Sequence, residues 1–208
     1  MSQTFLCDNI DMIVLFGLAG TGKGTQAKAL SEFFGWRTFS VGQVIRDTGK
    51  YNDTTNAGGL IPDDDVIKLM TEQIEKATAE GFNIILDGYP RTEYQAKWLM
   101  EHMRDDIEGA IILEVPKEEL YERLELRGRE DDKSKEAIDR RWDIFEQNIY
   151  PILEQLKQHN IPVKKVDGVG AVEDVTNRLI ETVRELNPNA TEQKDDVNGE
   201  EIEKSYGE

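Results

Sequence analysis

The sequence predicts an α/β fold in which five parallel strands form one sheet with helices on both faces. Three observations carry that expectation. Short apolar runs alternate with longer amphipathic ones along most of the 208 residues. The main apolar runs show no alternation of polar and apolar side chains, the mark of strands buried on both faces. No internal repeat is apparent that would call for a solenoid or a propeller.

The elements follow in order. Met12–Phe16 is wholly apolar and reads as the first buried strand. Residues 22–34 read as a helix that Gly35 stops. Residues 37–40 form a short strand, and Gly42 to about Thr48 a short helix. Residues 50–59, rich in Asn, Asp, Thr and Gly, read as a loop. Asp63, Asp64 and Asp65 can cap and charge the start of a helix running to Glu80, which Gly81 ends. Residues 83–86 are the next buried strand and residues 92–103 the next helix. A strand follows at 110–115, helices at 117–127 and about 134–158, a last strand at 162–166 and a last helix at 172–186. From Asn187 onward the chain carries 7 acids and 2 lysines with no sustained apolar period. That segment is expected to be a disordered acidic tail.

Composition excludes several function classes. Lys and Arg number 25 against 42 Asp and Glu, a formal charge of −17. A chain this acidic has no general affinity for nucleic acid or for an anionic membrane. Any anionic ligand must be held by local clusters of arginine and lysine. The single cysteine, Cys7, permits no disulfide within the chain and reads as an inert N-terminal residue, which fits a reducing cytoplasm. Zinc held by several cysteines is excluded. Met12–Phe16 is too short to span a membrane, and the first basic residue is Lys23, so no basic leader precedes it. No coiled-coil or sheet-edge signal argues against a monomer.

Gly17-Leu18-Ala19-Gly20-Thr21-Gly22-Lys23 fits the phosphate-loop pattern, between a buried strand and a helix. Gly17, Gly20 and Gly22 let the backbone turn its N–H groups inward around phosphates, and the helix N-terminus adds a favourable dipole. Lys23 reaches the β- and γ-phosphates. The usual pattern has Ser or Thr directly after the lysine; here Gly24 stands there and Thr25 follows.

The form Gly-Lys-Gly-Thr-Gln at residues 22–26 resembles that of the adenylate kinases, short-lid type, and the resemblance runs from about Met12 to Leu186. Asp87-Gly88-Tyr89-Pro90-Arg91-Thr92 is similar to a family block after a buried strand. The resemblance implies Mg²⁺ near Asp87, held through water, and Arg91 on the transferring phosphates. Gln95 falls where the family hydrogen-bonds the adenine of AMP. Residues 40–46 resemble Ser-Thr-Gly-Asp-x-Leu-Arg, with Val41 beside the base and Arg46 on the AMP phosphate. Leu60 and Ile61 match the segment that lines the AMP base. Arg123 and Arg127, four apart on one helix face, match the arginine pair at the lid entrance. Arg129 with Asp131-Asp132, and Arg141 before Trp142, resemble the lid arginines, with Arg140 an alternative to Arg141. Gly170 matches a late turn whose backbone touches the ATP base. The implied organisation is one domain over 1–186, with an AMP-binding insertion at about 40–69, a very short lid at about 128–137, and the tail at 187–208.

Three departures stand out. Val41 replaces a threonine, Gln43 replaces an aspartate, and the 50–59 segment is shortened. The lid is also too short to carry the zinc ligands of long-lid members. The resemblance implies reversible transfer of the ATP γ-phosphoryl group to AMP, with Mg²⁺ as cofactor and no zinc. Two other readings stay open: a UMP/CMP or broad-specificity kinase, suggested by Val41, and a nucleotide-binding switch without transfer. His102 and His159 lie in no matched motif, which disfavours a histidine-based triad.

Overall fold

A computed structural model describes residues 10–193, apart from the side chain of Asp131. Cys7 and residues 194–208 lie outside the described residues. The sheet has the order β2-β3-β1-β4-β5, and every pairing is parallel. Its strands are β1 (Met12–Phe16), β2 (Arg37–Ser40), β3 (Ile84–Asp87), β4 (Ile107–Glu114) and β5 (Val163–Asp167). The longer helices are α1 (Lys23–Phe34), α4 (Asp63–Ala79), α5 (Glu93–Met103), α6 (Lys117–Arg127), α7 (Lys135–Gln158) and α8 (Val172–Leu186). The short α2 (Val41–Asp47) and α3 (Asn52–Asn56) lie between β2 and α4.

The two-residue period of a strand sorts the core. Met12, Val14 and Phe16 face one side of the sheet and join a cluster with Val41, Met70, Leu99 and Leu156. Ile13 and Leu15 face the other side and pack with Ala27, Leu30, Leu179 and Val183. All five strand residues are at most 2% exposed, and each contributes roughly 1.5–3 kcal/mol by leaving water. A smaller cluster of Val115, Leu120, Leu124, Ile138 and Trp142 joins α6 to the first turns of α7, with Leu18 and Ala19 packed against it.

Most element boundaries fall within one residue of the sequence reading, because local chemistry sets them. Gly35 ends α1 with φ +71°. Thr92 and Ser134 cap α5 and α7 by accepting from the Gln95 and Ala137 amides. Four expectations need correction. The 50–59 loop contains α3, a single turn fixed by Thr55 Oγ1 donating to the Tyr51 and Asn52 carbonyls. β4 begins at Ile107: Ile107 pairs with Met12 and Gly109 with Ile13, on either side of a register shift at Glu108. No aspartate caps α4: Pro62 holds the cap position with no side-chain cap bond, and Asp63 turns to α5. The packed chain also extends past Leu186. Asn187 is 2% and Ala190 7% exposed, Asn187 Nδ2 donates to Asp11 (2.7 Å), and the Gln193 amide donates to the Phe33 carbonyl (2.9 Å).

Candidate active site

Parallel strands bring all their carboxyl ends to one edge, where α/β sheets place ligands. A cavity of about 2240 Å³ opens there. Gly17, Gly20, Thr21, Gly22, Lys23, Gly24 and Thr25 form its floor, and Asp87, Gly88 and Arg91 stand beside them. Arg46, Leu60, Arg123, Arg127, Arg129, Arg141 and Gly170 complete the expected set on its walls. Arg141, not Arg140, is the lining arginine.

The loop is built to keep its backbone exposed to a ligand. At Gly17, φ is +156°, and a Cβ would lie 2.8 Å from both the Leu113 carbonyl oxygen and Thr21 Oγ1. At Gly20, φ is +96°, and a Cβ would meet Leu120 and Leu124 at 3.1 Å. Any side chain at either position is therefore strained and crowded. Thr21 Oγ1 donates to the Leu18 carbonyl (3.0 Å), and Trp142 Nε1 donates to the Ala19 carbonyl (3.1 Å). The first turn of α1 has no capping side chain and no acidic residue, so nothing competes with an anion for its N–H groups. Lys23 Nζ donates to the Gly17 and Leu18 carbonyls (2.8 and 2.9 Å). Desolvation pushes this ammonium down to about 8; Asp87 pulls it up, while Arg91, Arg127 and Arg141 push it further down.

The arginines are held by acids placed behind them. Asp132, with a side chain 1% exposed, accepts Arg127 Nε and Nη2 (2.6 and 2.7 Å) and Arg141 Nη2 (2.7 Å). Burial alone would raise the Asp132 carboxyl; hydrogen bonds from Arg127 and Arg141 overcome this and hold it below the usual range. Arg123 donates to Glu119 Oε2 (3.1 Å) and, at 3.4 Å, to the Gly168 carbonyl. Across the cavity, Arg46 Nη1 and Arg91 Nη2 each stand 3.3 Å from where a Gly42 Cβ would be. Gln43 Oε1 accepts from Arg46 Nη2 (2.9 Å) and its amide donates to Asp47 (2.6 Å), so a neutral amide steadies that guanidinium. The late turn at 167–170 is tied down by Arg178, which donates to the Asp167 and Val169 carbonyls.

Three expected residues lie behind the cavity wall: Val41, Ile61 and Gln95 are 0%, 5% and 1% exposed. Val41 packs in the main core, with Cγ1 3.7 Å from the Cβ position of Gly88. Gln95 Oε1 accepts from the Arg91 amide (2.8 Å), and Nε2 donates to Asp63 (2.7 Å). Neither histidine lines the cavity: His102 stacks on Trp98, and His159 caps the end of α7. Sequence reading missed the supporting residues. Asp132 had a visible signal, an acid flanked by expected arginines. Asp63, Trp142 and Arg178 gave none, because each acts across an element boundary that spacing does not reveal.

Asp87 is 6% exposed at the end of β3, and Oδ2 lies 3.7 Å from where a Gly24 Cβ would be. Among the described residues no cluster of three or more His, Cys, Asp or Glu could hold an ion alone. One carboxylate beside a phosphate loop suits Mg²⁺, which keeps several waters and takes its other ligands from substrate phosphates. Among the described residues no helix is long and apolar enough to cross a membrane.

Comparison with known proteins adds independent findings. Residues 15–161 match the model of the family described as "Adenylate kinase". The chain is 36% identical over 186 residues to an adenylate kinase of Mycobacterium marinum, covering 82% of this chain and 98% of the relative. It is 34% identical over 190 residues to one from Micrococcus luteus, covering 82% and 89%. A Thermus thermophilus adenylate kinase is 30% identical over 182 residues, covering 80% and 94%.

Proposed function

We propose, since the chain belongs to the adenylate kinase family, how its cavity performs ATP:AMP phosphotransfer. ATP takes the floor at residues 17–25, with its base end toward Arg123 and Gly170. AMP sits against Arg46, Arg91 and Leu60, its base near Val41, Ile61 and Gln95. The observation that carries this reading is convergence: Lys23, Arg46, Arg91, Arg127, Arg129 and Arg141 line one cavity in a chain of charge −17. Such a concentration of cations suits two polyanionic substrates facing each other.

An oxygen of the acceptor phosphate attacks the γ-phosphorus, and the bond to the β-bridging oxygen breaks, leaving two ADP. The acceptor phosphate has its second pKa near 6, so no general base is required. Positioning and charge neutralisation do the work. Lys23 and the α1 amides hold the donor phosphates. Arg46 and Arg91 align the acceptor. Arg123, Arg127, Arg129 and Arg141 spread over the transferring group, with Asp132 keeping Arg127 and Arg141 on the cavity side. Asp87 would hold Mg²⁺ through water, and the ion would supply charge neutralisation at the β- and γ-oxygens. Monomeric action in the cytoplasm completes the proposal.

The direct test offers the purified protein Mg²⁺-ATP with AMP, dAMP, UMP, CMP or GMP and follows diphosphate formation. ADP formation that depends on AMP is expected. ATP binding without acceptor-dependent turnover would instead mark a nucleotide-binding protein that transfers nothing.

Lys23 also predicts a pH dependence. Burial pushes its ammonium down to about 8, and a bound triphosphate favours the charged form. Binding of metal-free ATP should therefore take up protons increasingly from pH 7.5 to 9, approaching about one proton, as affinity falls. Calorimetry in buffers of different ionisation enthalpy measures the uptake; no uptake across that range would place the Lys23 proton elsewhere.

A further inference from the structure

We propose that Asp63 is a positioning residue that sets acceptor-base specificity by locking the Gln95 amide in one orientation. This rests on Gln95 as the reader of the acceptor base; the residue is 1% exposed here, so the base must part the cavity wall to reach it. A glutamine amide has an oxygen end and a nitrogen end of nearly equal shape, and a free one can turn over. Here both ends face groups of fixed character. The Arg91 backbone N–H can only donate, so the atom 2.8 Å from it is the amide oxygen. The Asp63 carboxylate oxygen accepts, so the atom 2.7 Å from it is the amide nitrogen. Thr92 uses Asp63 Oδ1 as an acceptor a second time. Its hydroxyl oxygen accepts from the Gln95 backbone N–H (3.2 Å), and its proton goes to Asp63 Oδ1 (2.9 Å).

A side-chain amide carries two N–H donors and two oxygen lone pairs. After these contacts Gln95 keeps one of each, in an order held at one end by the Arg91 N–H and at the other by Asp63; without Asp63 only the first hold remains. A donor beside an acceptor complements an amino group next to a bare ring nitrogen. Adenine presents that pair at its 6-amino group and N1, and cytosine at its 4-amino group and N3. Hypoxanthine, guanine and uracil present the reverse: an oxo acceptor beside a ring N–H. A glutamine free to turn over serves both kinds of base; a locked one serves only the amino kind.

The lock spans two segments that the acceptor must meet together. Asp63 opens α4, with only Pro62 between it and Ile61, and Gln95 lies in the first turn of α5 after Arg91. Tyr89 is fully buried and its hydroxyl has no hydrogen-bond partner, so it does not compete for Asp63.

The test compares kcat/KM for AMP against IMP, and for CMP against UMP, in the wild type and in Asp63→Ala, Asp63→Ser and Asp63→Asn. The wild type is expected to prefer AMP and CMP. Asp63→Asn retains an acceptor oxygen at the same place and should hold both ratios within about threefold. Asp63→Ala should lower the AMP:IMP ratio by about tenfold, mainly through a higher KM for AMP. Asp63→Ser, whose hydroxyl is too short to reach, gives the same readout if the alanine variant does not fold. Equal losses on every acceptor, with unchanged ratios, would make Asp63 merely structural and overturn the proposal. A wild type that does not use AMP would instead overturn the acceptor assignment itself.

Discussion

Replacing Lys23 with alanine is expected to lower kcat by about 10³-fold while the protein stays folded. The site explains both halves of that result. Lys23 Nζ spends its donors on the Gly17 and Leu18 carbonyls, contacts that a triphosphate can exchange for its own oxygens. The loop does not depend on them. Thr21 bonds back to Leu18, Trp142 holds Ala19, and Gly17 and Gly20 fit only without a Cβ. Alanine therefore removes the cation and leaves the cradle standing. Lys23→Arg should not restore activity, because a planar guanidinium is not a compact ammonium and carries its charge farther out. Steady-state kinetics beside a thermal melt decides the matter. Turnover within tenfold of wild type in Lys23→Ala would remove the lysine from the chemistry.

The sequence carried most of the fold because its signals are local. Met12–Phe16 could be read as a doubly buried strand from five apolar residues, and it places Met12, Val14 and Phe16 against one face and Ile13 and Leu15 against the other. Gly35 and Ser134 mark helix ends by backbone chemistry that is visible in a few residues. Signals failed where a residue answers to a distant partner. Asp63 has the composition of a helix start, yet Thr92 and Gln95, 29 and 32 positions away, draw it off the helix end. Glu108 and Gly109 lack strand character, yet the pairing of Ile107 and Gly109 with β1, either side of a register shift, makes the stretch strand. Asn187 looks like the first residue of a solvated tail, yet Asp11 and the Val183 carbonyl hold it.

The site divides in the same way. Its floor is a contiguous motif whose spacing states its chemistry. Its arginines are legible by resemblance, but the acid that orders two of them, Asp132, has no role in that resemblance. What the sequence could not tell is which expected residues lie behind the cavity wall, since Val41, Ile61 and Gln95 differ from wall residues only in how α2, α4 and α5 pack. That is a tertiary property with no local mark.

Arg91→Ala should show the second large effect, a fall in kcat of about 10³-fold with the fold preserved. Arg91 makes two kinds of contact, and alanine removes only one. Its backbone N–H still donates to Gln95 Oε1, so the amide lock and the start of α5 survive. The guanidinium, whose Nε donates to the Gly88 carbonyl at 3.2 Å, is lost from the place where the acceptor phosphate meets the donor. Arg91→Lys keeps the charge but gives up the paired donors that grip a phosphate edge, and it should recover only a small part of the rate. A second readout separates this role from loose structural damage. Arg91 is one of the cations that push the Lys23 ammonium down, so in Arg91→Ala that ammonium should titrate higher. The proton uptake on binding metal-free ATP should then begin at a higher pH than in the wild type. A lower kcat with an unmoved uptake curve would mean that Arg91 acts on the acceptor alone; an unchanged kcat would remove it from phosphate alignment and leave Arg46 to carry the acceptor by itself.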